Sequence, residues 1–255
     1  MQSRIGLAAQ PISAAQAKDD ILYRECLARF PAVHDTAYVT RDFIIAAEEA
    51  GAALSLDSHV VSMVLDQLSI NVSFVLGCNL SASAFASTES WGVILKQLQA
   101  RAFLLPRLVV ELTETREIPD PQLFTRIVKE LHDLGCRVAL DDFGTGFASP
   151  RLLQLADFDI VKIDKAFLRD SRRSPDGQDS LWHMVQLASC FSRVVVVEGI
   201  ASAEQEAYAC EAGAMHLQGY LLARPCPIGR PFPPVISIRP HSRNSPEAPI
   251  AHNRQ

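Results

Sequence analysis

Short β-rich runs alternate with amphipathic helical patterns along most of the chain, and this alternation constrains the fold more than any other feature. Eight such runs separated mostly by helices predict an α/β fold, a modified TIM-type (β/α)8 barrel. A short polar segment without a helix joins the first two runs, so we expect one antiparallel strand near the start. The expected strands are IGLAAQPI, ILYRECLARF, VSFVLGCNLS, RLVVELTE, RVALDDF, IVKID, VVVVEG and MHLQGY.

The length fits one domain of this kind, since the chain has 255 residues. Its last part is rich in proline and shows little apolar periodicity. We therefore expect the barrel domain to occupy residues 1–228, and residues 229–255 to form a proline-rich, mostly disordered tail.

The net charge and the cysteine content limit which binding partners and which cellular compartment we expect. The formal net charge of −5 argues against binding to a nucleic-acid polymer, although a small anion could bind beside a metal or local positive charge. The six cysteines include no CxxC pair, which favours reduced thiols and a cytoplasmic protein. No run approaches the roughly 18 apolar residues that a membrane segment needs, and the N-terminus does not resemble a signal peptide.

Polar side chains occupy the ends of the predicted strands, where barrel enzymes carry their chemistry. Taken singly, each has an ordinary explanation, such as a helix cap or a loop start. Together they would place five carboxylates at one rim, where mutual repulsion requires cations. Oxygen-only ligands select Mg²⁺ or Mn²⁺, and this many acids indicate two ions per site. The residues are Glu25, Asn79, Glu111, Asp141, Asp142, Glu198 and Gln218.

Two basic residues accompany these acids. Lys162 is a cation within a predicted strand, and it could either neutralise the acids or stabilise charge that develops during a reaction. Arg29 follows Glu25 by four residues, so both side chains would face the same side of a strand. An arginine there could bind a phosphate, and the alternative is a solvent-exposed side chain.

Seven motifs, in order, resemble those of the EAL domain family, whose members open cyclic di-GMP to linear pGpG. The resemblance runs from Gln10 to Pro227, and it implies a modified barrel with one antiparallel strand. The motifs are ECLAR, CNLS, ELTE, LDDFGTGF, DIVKIDKAF, VVEGI and LQGYLLARP.

The resemblance implies a metal-dependent phosphodiesterase with two Mg²⁺ or Mn²⁺ ions. Asp141 would bridge the ions, Lys162 would position the attacking water, and Glu25 completes the catalytic set. The implied ligands are Glu25, Asn79, Glu111, Asp141, Asp142 and Glu198.

Other positions match substrate contacts and a supporting loop. Glu114 would hold the glycine loop that contains Gly144 and Gly146, and this loop couples the site to a dimer interface in relatives. This coupling implies a homodimer, and the other expected partners are cyclic di-GMP and an unidentified regulatory partner. The implied substrate contacts are Gln10, Arg29 and Gln218.

One departure leaves an alternative function open. Ala201 stands where the E-G-V-E-T motif has its second glutamate. The chain could instead be a catalytically weak or inactive EAL domain that acts as a cyclic di-GMP receptor or a protein-interaction regulator. A Schiff-base aldolase built on Lys162 is a third reading, but it leaves the five acids unexplained.

Overall fold

A computed structural model describes residues 5–30, 40–112, 118, 120–145 and 150–229. The strands are β1 (Gly6–Ala14), β2 (Ala17–Arg29), β3 (Leu76–Leu80), β4 (Leu108–Leu112), β5 (Arg137–Phe143), β6 (Ile160–Ile163), β7 (Val194–Val197), β8 (His216–Leu217) and β9 (Cys226–Ile228). The α-helices are α1 (Thr40–Glu49), α2 (Ala53–Ile70), α3 (Thr88–Gln99), α4 (Pro121–Asp133), α5 (Pro150–Leu155), α6 (Ala166–Arg169), α7 (Ser180–Ser189) and α8 (Ala203–Glu211). Two 3₁₀ helices, Ala82–Phe85 and Ala102–Arg107, flank α3.

The strands close into the predicted barrel. Strands β2 to β8 pair in chain order and are parallel to one another, and β1 closes the ring by pairing antiparallel with both β2 and β8. The prediction of one antiparallel strand at the start is therefore confirmed. No described helix is long and apolar enough to cross a membrane.

The structure differs from the predicted elements at several places. β2 begins at Ala17, earlier than predicted, and the helix predicted around Trp91 is shorter and flanked by 3₁₀ turns. β9 was not predicted at all, and it pairs with β1 through Leu7, Ala8 and Ala9. The tail from residue 230 onward lies outside the described residues, so its disorder stays a prediction.

The apolar residues form two separate clusters. The larger one lies between the barrel and its helices, and a smaller one fills the barrel interior. Side chains along a strand alternate between these clusters, as the period of two requires. In β4, for example, Val109 belongs to the interior cluster, whereas Leu108 and Val110 belong to the outer one. The interior cluster consists of Ile12, Tyr23, Val109, Ala139, Ile160 and Val196.

Candidate active site: an acidic cluster around a buried lysine

The site residues lie on the same strand faces as the interior cluster, one layer closer to the carboxyl end of the barrel. Two residues beyond an interior apolar residue, each strand presents a polar side chain on the same face. Because β4, β5, β6 and β7 are in register, these polar residues form one layer at the carboxyl end of the barrel. The layer contains Glu25 above Tyr23, Glu111 above Val109, Asp141 above Ala139, Lys162 above Ile160, and Glu198 above Val196.

Lys162 stands at the centre of this layer and is completely buried. Its Nζ lies 2.6 Å from Glu111 Oε2, 2.7 Å from Glu198 Oε1, 2.9 Å from Asp141 Oδ1 and 3.3 Å from Glu25 Oε2. A single buried ammonium is therefore shared among four carboxylates. The cluster keeps an excess of negative charge that a cation could offset.

Two amide side chains hold Glu25 in place, one from β3 and one from the residue that follows β8. Gln218 Nε2 donates to Glu25 Oε2 at 2.6 Å, and Asn79 Nδ2 donates to Glu25 Oε1 at 2.9 Å. Gln10 lies next to Gln218 and donates to the carbonyl oxygen of Ala223 at 3.0 Å. Both oxygens of Glu25 thus have fixed directions before any ligand binds.

Burial and charge crowding shift the pKa values in this layer. Burial, opposed in part by Lys162, raises the pKa of Glu198 to about 8, and burial together with Asp141 raises the pKa of Asp142 to about 7. Burial acts to raise the pKa of Glu25, but Lys162 and the hydrogen bonds from Gln218 and Asn79 lower it overall. The acids therefore repel one another strongly without further positive charge.

The donor set fits a pair of hard cations. Oxygens of Glu25, Glu111 and Asp141 lie within 4.8 Å of one another, and so do oxygens of Asp141, Asp142 and Glu198. Asp141 belongs to both groups, which is the arrangement expected of a bridging carboxylate. Glu111 Oε1 is buried and has no hydrogen-bond partner among the described residues, so it is available as a ligand. These oxygens suit Mg²⁺ or Mn²⁺ better than a soft metal.

The backbone is unusual where the two aspartates meet. Asp142 has a φ of 52°, in the left-handed region that side chains other than Asn, Asp and Gly rarely adopt. Its carbonyl oxygen accepts from Thr145 N at 3.1 Å and from Thr145 Oγ1 at 3.0 Å. Gly144, with a φ of 95°, makes the turn possible. This turn lets both neighbouring carboxylates line one cavity, although side chains in a regular strand alternate faces.

An open cavity of about 430 Å³ gives access to the acids. Its walls combine the carboxylates with amides, cations and an aromatic ring. The lining residues include Gln10, Glu25, Asp141, Asp142, Lys165, Arg169, Glu198, Ala201, Gln218 and Tyr220. A second, mainly apolar cavity of about 240 Å³ adjoins it, since Leu27 and Asp141 line both cavities.

Most of the predicted site residues are brought together, and the others divide into two cases. Arg29 does not join the cluster: its guanidinium donates to the carbonyl oxygen of Ala28 at 3.0 Å, and it forms no ion pair with the described residues. Its predicted contact with a phosphate stays a prediction. Glu114 and Gly146 lie outside the described residues, so their predicted roles also stay predictions.

Three residues of the site were not predicted from the sequence. Tyr23 lies beneath the acids, fully buried, and its hydroxyl has no hydrogen-bond partner among the described residues. Its position two residues before Glu25 was a signal that the strand period could have revealed. Lys165 and Arg169 also line the cavity, but one turn of helix gives no pattern that predicts this.

Comparisons with known proteins identify the family. The model of the EAL domain family matches residues 2–225. The chain belongs to the EAL domain family. Among curated relatives of this family, the cyclic di-GMP phosphodiesterase PdeR of Escherichia coli K12 is 33% identical over 192 residues, or 73% of this chain. The chain spans only 29% of the length of PdeR.

Solved EAL structures share the fold. A standalone EAL protein from Vibrio cholerae O395, in its c-di-GMP-bound form, has a TM-score of 0.73 and 23% identity, covering 89% of this chain and 94% of that one. Klebsiella pneumoniae BlrP1, in a complex with manganese and cyclic di-GMP, has a TM-score of 0.69 and 25% identity, covering 89% of this chain and 57% of that one.

Proposed function

We propose that this EAL domain hydrolyses one phosphodiester bond of cyclic di-GMP, producing linear pGpG, with two Mg²⁺ or Mn²⁺ ions. The observation that carries the proposal is the position of Asp141 in two adjoining groups of acids, with Lys162 buried between them. The name of PdeR and the manganese complex of BlrP1 support the same reaction and the same class of metal.

The side chains of the cluster would have two different roles, ion binding and orientation of the attacking water. Glu25, Asn79, Glu111, Asp141, Asp142 and Glu198 would hold the ions. When bound, the ions supply Lewis-acid chemistry and promote deprotonation of the attacking water. Lys162 Nζ would orient that water and stabilise negative charge on the phosphate oxygens. Water adds to phosphorus while the bond to the 3′ oxygen breaks, so the product carries a 5′ phosphate and a free 3′ hydroxyl.

Lys162 is poorly suited to the Schiff-base reading. Although burial acts to lower it, the four surrounding carboxylates raise its pKa well above the usual value. The amine is therefore protonated at neutral pH, whereas attack on a carbonyl needs the neutral form. The protonated Lys162 therefore does not support an aldolase.

Nucleotide chromatography tests the proposed reaction. Purified protein incubated with cyclic di-GMP and Mn²⁺ should produce pGpG. Glu111→Gln should reduce the rate by about a hundredfold or more, because a buried carboxylate that would hold an ion becomes a neutral amide. Asp133→Asn is a matched control, since Asp133 is an exposed carboxylate that pairs with Lys129 at 2.7 Å on α4. Unchanged turnover in Glu111→Gln would refute the site assignment.

Ala201 favours a second candidate, a receptor that binds cyclic di-GMP without cleaving it. Ala201 lines the cavity and brings no charge to a position where the family motif has glutamate. Binding of cyclic di-GMP with no pGpG after hours of incubation with Mn²⁺ would support the receptor and exclude the phosphodiesterase.

We propose a cytoplasmic protein that forms a homodimer and responds to a regulatory partner. All six cysteines are free thiols, which suits a reducing compartment. Light scattering on the eluting peak of a sizing column would measure the mass, and a monomer at micromolar concentration would contradict the dimer.

A further inference from the structure

Two cations line the cavity without taking part in the cluster around Lys162. Lys165 directly precedes α6, and Arg169 is the last residue of that helix. Both side chains are exposed at the cavity wall. In the described part of the chain, neither side chain has a hydrogen bond or an ion pair. Their positive charges are therefore available to a ligand.

Some described surface cations are paired with acids, whereas others, such as Lys96 and Arg126, are unpaired like Lys165 and Arg169 but do not line the cavity. Lys18 pairs with Glu206 at 2.6 Å, and Arg101 pairs with Asp66 at 2.7 Å. Lys165 and Arg169 face a cavity rich in acids, yet their side chains do not reach any of those acids. The adjacent cavity residue Ala201 is uncharged and cannot neutralise them.

The local backbone fixes Lys165 at the mouth of the site. Asp164 Oδ1 accepts from Ala166 N at 2.7 Å, which holds the turn that follows β6. Gly199, the residue after Glu198, lies directly against the stem of Lys165, and any side chain at Gly199 would overlap Lys165 Cβ. The cation is thus held beside the end of β7, close to the carboxylates but separate from them.

The chemistry of the proposed substrate supplies a partner for these charges. Cyclic di-GMP has two phosphodiester groups on one ring, and only one of them reacts among the carboxylates. We propose that Lys165 and Arg169 bind the second phosphate, the one that is not cleaved. An arginine fork and a lysine point charge both suit a phosphodiester anion. This inference rests on the proposed function, and it makes the two cations specificity residues for a ligand with two phosphates.

Kinetics with two substrates test the inference. For cyclic di-GMP with Mn²⁺, the double variant Lys165→Ala/Arg169→Ala should raise KM about tenfold with little change in kcat, because the lost contacts are remote from the reacting phosphate. Bis(p-nitrophenyl) phosphate is a diester with one phosphate, so its kcat/KM should fall far less. Raising the salt concentration should weaken cyclic di-GMP binding more in the wild type than in the double variant.

Matched variants separate the charge effect from damage to the fold. Arg172→Ala removes an exposed cation from the following loop, outside the cavity, and should leave both substrates unaffected. Lys165→Met/Arg169→Gln keeps the side-chain length and should reproduce the rise in KM. An equal loss of kcat/KM for the two substrates, or an unchanged KM for cyclic di-GMP, would overturn the inference.

Binding of cyclic di-GMP measured by calorimetry distinguishes this inference from the proposed function. If the wild type binds the nucleotide without cleaving it, the phosphodiesterase proposal fails, and weaker binding by the double variant still supports the two phosphate contacts. If the wild type neither binds nor cleaves the nucleotide, both proposals fail.

Discussion

At Gly77 in β3, the absence of a side chain makes room for two groups of the barrel interior. A Cβ atom at this position would lie 2.6 Å from Tyr23 Cε2 and would overlap Glu111 Oε1. The strand period places Gly77 two residues before Asn79, on the same face, so any larger residue would enter the floor of the site. One glycine thus allows a buried tyrosine and a buried glutamate to coexist.

We expect Gly77→Ala to destabilise the protein by roughly 1–3 kcal/mol, because the added methyl forces neighbouring side chains to move in a packed core. Activity should fall further than stability alone explains, since Glu111 is one of the displaced groups. Gly92→Ala is the control: nothing lies within 4 Å of a Cβ there, and an alanine inside α3 should be neutral or stabilising. Urea unfolding measures both variants. Equal unfolding free energies for the two would show that the interior is less tightly packed than the distances indicate.

At the scale of elements, a buried carboxylate connects α2 to the end of β3. Asp57 Oδ2 accepts from Ser81 Oγ at 2.7 Å and from Ser81 N at 3.1 Å. Burial, with a smaller contribution from Glu48 on α1, raises the pKa of Asp57 to about 6, although the bonds from Ser81 act to lower it. The connection fixes the chain just after Asn79, at the price of a buried charge.

This pKa shift predicts how stability depends on pH. Because the folded-state pKa exceeds the ordinary value near 4, the folded protein binds an extra proton between about pH 4 and pH 6. Stability should therefore fall as pH rises through that window, by up to roughly 3 kcal/mol from this group. Asp57→Asn should remove this part of the slope in urea unfolding. Asp66→Asn, an exposed residue on the same helix, should keep the slope. An unchanged slope in Asp57→Asn would contradict the prediction.

The elements that local patterns predicted are those whose partners follow in chain order. The apolar runs of β4 to β7 and the acids at their ends could be found because each strand pairs with the next one along the chain. β9 could not, because Cys226–Ile228 has no β pattern of its own and forms by pairing with β1 at the opposite end of the chain. The direction of the Arg29 side chain could not be predicted for a similar reason. The two-residue period of a strand predicts which face Arg29 occupies, but contacts with distant parts of the chain decide its rotamer.

For the whole molecule, closure of the barrel and assembly of the site are one event. The acids come from β2, β4 and β5 and, for Glu198, from the residue that follows β7, and Lys162 comes from β6. The order of the strands could be predicted from the sequence, and so could the meeting of their polar ends. The sharing of Lys162 among four carboxylates could not, because it depends on the stagger of the strands around the ring.

Ions that bind these acids should stabilise the entire domain, because unfolding separates the ligands. Divalent ion at a hundred times its dissociation constant adds about 2.7 kcal/mol, which for a domain of this size raises the melting temperature by about 5–10 °C. We expect millimolar Mn²⁺ to produce this shift in scanning calorimetry and EDTA to reverse it. Asp141→Asn should lose most of the shift, since Asp141 belongs to both groups of acids. Asp133→Asn should keep it. A melting temperature that does not respond to Mn²⁺ in the wild type would mean that the clustered acids do not form a metal site.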